Sequence, residues 1–82
     1  MGQDIAERVQ QIVAEQLGIP RGEVRASASF AELGADSLAV AELLLAVEET
    51  FDLEIAEAEA SQLRTVGEAI GHIVAVRRRQ AQ

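Results

Sequence analysis

The stretch LGADSLAVAELLL, residues 33–45, places an aspartate and a serine where a loop passes into a strongly apolar helix. A serine at such a position has three possible uses. It caps the helix by accepting amide hydrogen bonds, it acts as a nucleophile beside a base, or it is the attachment point of a covalently bound group. The rest of the sequence distinguishes among these three uses of Ser37.

The sequence argues against a catalytic serine. A nucleophilic serine needs a positioned base and an oxyanion hole. The nucleophile-elbow pattern G-x-S-x-G is not met, because Ala35 and Ala39 stand where its two glycines belong. The single histidine, His72, falls in the middle of a predicted helix, at a polar-facing position where we expect it to be solvated or hydrogen-bonded. We therefore expect no catalytic residues, and a protein that is not an enzyme.

The neighbouring aspartate leaves the serine free for attachment. Asp36 is a good N-cap, since its carboxylate accepts the free amides of the first turn and favours the positive end of the helix dipole. Ser37 then occupies the first helical position with its hydroxyl pointing outward. A phosphate on that hydroxyl would lie near unpaired backbone amides. The local sequence therefore suits an anion attached through Ser37.

Apolar periodicity predicts helices along most of the chain. Ile5, Val9, Ile12, Val13 and Leu17 recur at helical spacing and predict a first helix over about 4–17. A long connection follows over 18–35. The second helix is predicted over about 36–51, a short third over about 57–62, and the fourth over about 65–79, after a Thr-x-x-Glu capping box. We expect residues 1–82 to form one all-α domain, a small four-helix bundle.

The charge is acidic and unevenly distributed. The net charge is −7, and no basic residue occurs between Arg25 and Arg64. This charge disfavours nucleic acid and favours basic protein surfaces as partners. The acids of that window either only solubilise the domain or form a docking surface. They are nine: Glu32, Asp36, Glu42, Glu48, Glu49, Asp52, Glu54, Glu57 and Glu59.

The uncharged runs are too short to cross a bilayer, and we find no signal-peptide pattern. We therefore expect a cytoplasmic protein without a membrane partner. The chain has no cysteine and one histidine, which argues against a metal site. We expect a monomer.

The second predicted helix is apolar on two faces. The core stripe consists of Val40, Leu43, Leu44, Val47 and Phe51. The second face carries Leu38, Ala41 and Leu45, interleaved with Glu42, Glu48 and Glu49. A helix that packs on only one core has no use for a second apolar face. Either the helix is buried nearly all round or the second face meets a partner, and we favour the partner.

The stretch LGADSL, residues 33–38, resembles the attachment motif of acyl carrier proteins. Downstream, AELLLAVEETFDLEI resembles that family's second helix and the turn after it. ASASF before the motif and LRTVGEAI after it extend the resemblance over nearly the whole chain. The pair Ala35-Asp36, in place of a Gly-His pair, favours acyl carriers over peptidyl carriers.

The resemblance implies a cofactor and a set of partners. Ser37 would carry a 4′-phosphopantetheine arm, transferred from coenzyme A by a separate Mg²⁺-dependent phosphopantetheinyl transferase, with Asp36 as motif partner and cap. The arm's thiol would hold acyl groups as thioesters. Partners would be acyl-loading enzymes, ketosynthases and other acyl-processing enzymes with basic docking surfaces. Their recognition face would comprise Leu38, Ala41, Glu42, Leu45, Glu48 and Glu49.

The resemblance also implies a shelter for the acyl chain. The matching positions are Phe30, Leu43, Val47, Ile55, Ala60 and Leu63. Ala39 stands where carriers of fatty acid synthesis usually have Asp, and Ala56 where a proline often follows the isoleucine. These departures favour a polyketide or other specialised pathway, with primary fatty acid synthesis as the alternative. A hypothesis of another class is an unmodified acidic helical module that only docks.

Overall fold

The computed structural model describes residues 4–80 and confirms the expected all-α bundle. Residues 1–3 and 81–82, the ends of the expected domain, lie outside the described residues. No helix in the described part is long and apolar enough to cross a membrane. The four helices are α1 (Ile5–Leu17), α2 (Ser37–Phe51), α3 (Glu57–Ala60) and α4 (Val66–Gln80), and a short 3₁₀ turn (Arg21–Glu23) lies between α1 and α2.

The helix ends follow local chemistry. The Asp4 carboxylate accepts the Ala6 amide at 3.3 Å at the start of α1, and Gly18 ends that helix in the left-handed conformation, with φ +66°. Asp52 ends α2 in the same conformation at φ +55°, which Asp tolerates better than most residues. Helix α3 is shorter than the predicted 57–62. Its α-helical pattern ends at Ala60 because the next amides bond three residues back, Gln62 to Glu59 and Leu63 to Ala60.

The core is formed by α1, α2 and α4, with side chains from the loop after α1. Helix α3 contributes no fully buried residue. Burial of these aliphatic side chains supplies most of the stabilisation of so short a chain. The side chains buried to the greatest extent are Val9, Val13, Val24, Leu43, Val47, Val66 and Ile73.

Two arginines enclose the last residue of α2. The guanidinium carbons of Arg8 and Arg77 lie 5.8 and 5.6 Å from the centre of the Phe51 ring, within cation–π range. Arg77 also donates to the Phe51 carbonyl at 3.1 Å. Arg77 therefore satisfies the C-terminus of α2 as well as lying in the last turn of its own helix.

Buried side chains and hydrogen bonds fix both halves of the loop between α1 and α2. Val24 and Phe30 are buried, and the Gln10 side chain donates to the Val24 carbonyl at 2.9 Å. Ser29 pairs with Thr65 in one isolated antiparallel bridge. Flanking it, the Phe30 amide donates to Arg64, the Val66 amide to Ala28 and the Gly67 amide to Ala26. We call residues 26–30 and 64–67 together the loop bridge. It fixes the loop before α2 against the start of α4.

Candidate functional site

Ser37 is the first residue of α2, and its side chain is exposed. The preceding Asp36 has extended backbone, and its carboxylate accepts the Ala39 amide at 2.8 Å. The predicted cap is therefore present, and the serine hydroxyl is not needed for it. Gly34, with φ +90°, and the bond from the Ala35 amide to the Phe30 carbonyl close the turn that leads into the helix.

The first turn of α2 has backbone amides without a hydrogen-bond acceptor. Asp36 accepts the Ala39 amide with its side chain and the Val40 amide with its carbonyl. Within residues 4–80, the amides of Ser37 and Leu38 donate to no protein acceptor, because the first amides of a helix have no helical carbonyl four residues before them. These two N–H groups lie at the positive end of the helix dipole. An anion attached to the serine oxygen would therefore be stabilised there.

The turn before the site has its own capping box. The Ser29 amide donates to the Glu32 carboxylate at 2.8 Å, and the Glu32 amide donates to the Ser29 hydroxyl at 3.0 Å. Phe30, next in the chain, is buried, and its amide is held by the loop bridge. The loop is therefore tethered on both sides, which positions Ser37 although no side chain bonds to it.

An open groove of about 630 Å³ begins at Ser37 and runs between α2 and α3. Three of the six side chains expected to shelter an acyl chain line it: Phe30, Ala60 and Leu63. The other three do not. Leu43 and Val47 are 1% exposed and packed in the core, and Ile55 lies outside the groove.

The α2 wall of the groove is formed by Val40, Ala41 and Leu44. They lie three, four and seven residues after Ser37, so they share its face of the helix. This spacing was readable from the sequence. Ala41, which was predicted on the partner face, is exposed and also lines the groove. Val40 and Leu44 were assigned only to the core, although Leu44 is also largely buried.

The remaining face of α2 is exposed, as expected for most of its residues. Leu38 is 68% and Leu45 is 54% exposed, and Glu42 and Glu49 are exposed beside them. Glu48 is the exception, because it is half-buried and its carboxylate accepts the Ile55 amide at 2.7 Å. Glu48 therefore tethers the chain after α2, and its place on the recognition face stays a prediction.

The start of α4 has the predicted capping box. The Glu68 carboxylate accepts the amides of Arg64 at 2.7 Å and Thr65 at 3.0 Å, and the Glu68 amide donates to the Thr65 hydroxyl at 3.1 Å. The two backbone amide bonds, that of Arg64 first, lower the pKa of the Glu68 carboxyl below its ordinary value of 4.5.

His72 is less exposed than expected. Its side chain is 12% exposed, and its Nε2 lies 3.7 Å from the Glu59 carboxylate on α3. This nitrogen has no hydrogen-bond partner in the described residues. His72 therefore packs against Glu59 on α3, and no hydrogen bond joins it to Ser37 in the described residues.

Comparison with known proteins finds the same pattern. Residues 7–73 match the family described as phosphopantetheine attachment site. An acyl carrier protein of Cyanidioschyzon merolae is 48% identical over 73 residues, 88% of this chain and 80% of that protein. The chain belongs to the acyl carrier protein family. The solved acyl carrier protein of Enterococcus faecalis superposes with a TM-score of 0.73 at 30% identity, over 87% of this chain and 91% of that one.

Members of the acyl carrier protein family are carriers, not enzymes, and the group they hold covalently is 4′-phosphopantetheine. The residues of this carrier fit such a group. An exposed hydroxyl is available, the amides of Ser37 and Leu38 have no acceptor within the described residues, and a groove begins at the same serine. Leu38, beside the serine, is also exposed.

Proposed function

We propose that this carrier bears its 4′-phosphopantetheine arm on Ser37 and presents acyl groups to partner enzymes of a polyketide or other specialised pathway. The observation that carries the assignment is the exposed hydroxyl at the first position of α2, beside a carboxylate that already caps the helix. When attached, the arm supplies a thiol that holds acyl groups as thioesters. The protein supplies the attachment oxygen, the amides that stabilise the phosphate, and the docking surface.

The docking surface of the proposal is the exposed face of α2, formed by Leu38, Glu42, Leu45 and Glu49. It lies on the helix that begins at Ser37. Two exposed leucines provide an apolar contact that excludes water at the centre of a small interface. The surrounding carboxylates attract basic surfaces of the transferase and of acyl-processing enzymes, which accelerates encounter more than it strengthens the complex.

Intact mass tests the attachment site. Wild type, Ser37→Ala and Ser61→Ala are incubated with coenzyme A, Mg²⁺ and a broad-specificity phosphopantetheinyl transferase. Ser61 is the matched control, because it is an exposed serine that lines the same groove. We expect wild type and Ser61→Ala to gain one phosphopantetheine mass and Ser37→Ala to gain none. A mass gain on Ser37→Ala, or none on wild type, refutes the proposal and favours an unmodified docking module.

The pathway is proposed from two sequence departures. Ala39 follows the serine's leucine where carriers of fatty acid synthesis usually have Asp, and Ala56 replaces a common proline. Ala39 lies in the first turn of α2, and Ala56 immediately precedes α3. Expression in a bacterial strain whose growth depends on a supplied fatty acid carrier tests this. We expect no growth despite full modification, whereas growth would assign the protein to primary fatty acid synthesis.

A further inference from the structure

Helix α3 forms one wall of the groove but is itself weakly held. Glu57 and Ala60 line the groove from this helix, and none of its residues is fully buried. Within residues 4–80, no hydrogen bond joins α3 to α1, α2 or α4. Segments with few buried contacts open more readily than the core. The contacts that do hold α3 therefore determine the shape of the groove.

The side chain of His72 on α4 makes one such contact. It is 12% exposed, and its Nε2 lies 3.7 Å from the Glu59 carboxylate on α3. This nitrogen is buried and has no hydrogen-bond partner in the described residues. Removing a polar atom from water without giving it a partner is unfavourable, so a buried orphan atom needs a physical explanation.

A small movement of Glu59 gives this nitrogen a partner. The present separation is longer than a hydrogen bond, but the Glu59 side chain is 54% exposed and has room to turn. A shift of about 1 Å reaches the length of a charge-assisted bond. A protonated imidazole donates from both nitrogens, whereas one neutral form would turn a lone pair towards the carboxylate. The protonated ring therefore fits this site.

Glu59 is the acid that senses the charge of His72. In the described part of the chain, no other carboxylate, whether from α1, α2, α3 or α4, lies within ion-pair distance of the ring. The Glu68 carboxylate, four residues earlier on α4, already accepts two backbone amides. The other charged residues of α3, of the connection after it and of α4 are Glu57, Arg64, Glu68, Arg77, Arg78 and Arg79.

We propose that His72 is the positioning residue of α3, and that its protonated ring donates from Nε2 to the Glu59 carboxylate and so holds this wall of the groove. Histidine gains its charge between about pH 8 and pH 5, and carboxylates stay charged over that range. Helix α3 is therefore held more tightly in mildly acidic than in mildly basic solution. The inference is independent of the attachment at Ser37, because both partners belong to the unmodified chain.

The test uses the full unmodified chain and three variants. His72→Gln keeps a polar side chain that cannot titrate, and Glu59→Gln removes the partner charge from an exposed position. Glu57→Gln is the matched control, because it removes the other acid of the same helix, which makes no ion pair with His72 in the described residues. The chain has one histidine and no cysteine, so no second side chain of these types titrates in this range.

The measurement is amide hydrogen exchange at about pH 5.5 and about pH 8, with each rate divided into the intrinsic rate at the same pH. The amides of Ala60 and Ser61 close the hydrogen bonds of α3. So short a helix does not persist without its contacts, so their protection reports whether α3 is in place. Val13, buried on α1, is the reference for unfolding of the whole domain.

We expect the protection of Ala60 and Ser61, relative to Val13, to be about threefold greater at the lower pH in wild type, as suits a half-exposed ion pair. Glu57→Gln should show the same increase, and His72→Gln and Glu59→Gln should lose it. The proposal is overturned if wild type shows no increase, if the increase survives in Glu59→Gln, or if Glu57→Gln abolishes it equally. If His72→Gln does not fold, Glu59→Gln decides the question alone.

Discussion

Gly67 lies where α4 comes closest to the loop before α2. A Cβ atom at this position would lie 2.9 Å from the carbonyl oxygen of Ala26, a backbone atom that is itself held by the Gly67 amide. We expect Gly67→Ala to destabilise the fold by about 1–3 kcal/mol, because the overpacking outweighs the better helix propensity of alanine. The measurement is the free energy of unfolding in denaturant.

Gly71 provides the control in the same helix, since a Cβ there would meet nothing within 4 Å. We expect Gly71→Ala to stabilise by about 0.5–1 kcal/mol through propensity alone. If both variants raised the stability equally, the loop would not approach α4 as closely as described.

Glu68 makes the stability of the fold depend on pH in the acidic range. Its pKa is lowered in the folded state, chiefly by the amides of Arg64 and Thr65. The stabilisation is therefore present above its ordinary value of 4.5 and is lost as the pH falls through the lower folded value. Glu68→Gln keeps an acceptor oxygen but cannot titrate. We expect the melting-temperature difference between wild type and Glu68→Gln to be constant at neutral and mildly acidic pH, and to shrink below 4.5.

The control for this pH series is Glu7→Gln in the first turn of α1. Its side chain accepts no backbone hydrogen bond in the described residues. The wild-type advantage over this variant should change less across the same pH range. A difference for Glu68→Gln that persists undiminished into strong acid would contradict the role of the carboxylate.

At the scale of the element, α2 has one face in the core, one that lines the groove, and an exposed one that is the proposed docking face. Leu43 is 1% exposed on the core face and Leu45 is 54% exposed on the docking face. We expect Leu43→Ala to destabilise by about 2–5 kcal/mol through lost burial and a residual cavity. Leu45→Ala should change stability by no more than about 0.5 kcal/mol, as other exposed substitutions do.

The matched measurement for the two leucine variants is the rate of arm transfer at a temperature where both remain folded. Leu45→Ala should slow the transfer, because its side chain is part of the proposed contact with the transferase. Leu43→Ala should transfer at the wild-type rate. Equal losses of stability would show that the faces of α2 are assigned wrongly.

The sequence predicted the bounds of α2 well, but it predicted less well which other residues its side chains contact. Caps and apolar spacing are local, so they located Ser37 at the start of α2 within a residue. Which side chains line the groove depends on which apolar face of α2 meets α3. Helical spacing does not decide this, because Leu43, in the core, and Leu44, in the groove, both fit the same apolar stripe. Only the packing of α3 separates the core face from the groove face.

Long-range partners escaped prediction for the same reason. Glu48 has the sequence context of a solvated acid, but the amide that it accepts belongs to Ile55, in the segment after the helix. His72 has a polar-facing position on α4, and α3 covers it. The loop bridge joins residues far apart in the chain, which no periodicity encodes.

At the scale of the whole molecule, we propose that the acids between Arg25 and Arg64 attract basic partner surfaces towards α2. Glu42 and Glu49 are exposed on α2, whereas Glu7 and Glu15 are exposed on α1. We expect reversal of Glu42 and Glu49 to lysine to slow arm transfer about tenfold at low salt, and much less at high salt, where charges are screened within a few ångströms.

Reversal of Glu7 and Glu15 changes the net charge by the same amount and is the control. We expect it to leave the transfer rate nearly unchanged at every salt concentration. Initial rates across a salt series measure both variants. Equal slowing by the two reversals would show that total charge, not the α2 face, governs encounter. Glu48 is excluded from this design because its reversal would also break the bond to Ile55.

The loop bridge has a consequence for the order of events during synthesis. The proposed attachment serine, Ser37, leaves the ribosome well before residues 64–67, yet the loop in front of it is held by those later residues. Contacts between distant parts of a chain form late, because the intervening segment must first lose its freedom. A nascent chain ending before the bridge therefore presents Ser37 on an unsupported loop and without a finished groove. On the proposed function, a transferase would meet a complete site only once residues 64–67 have emerged.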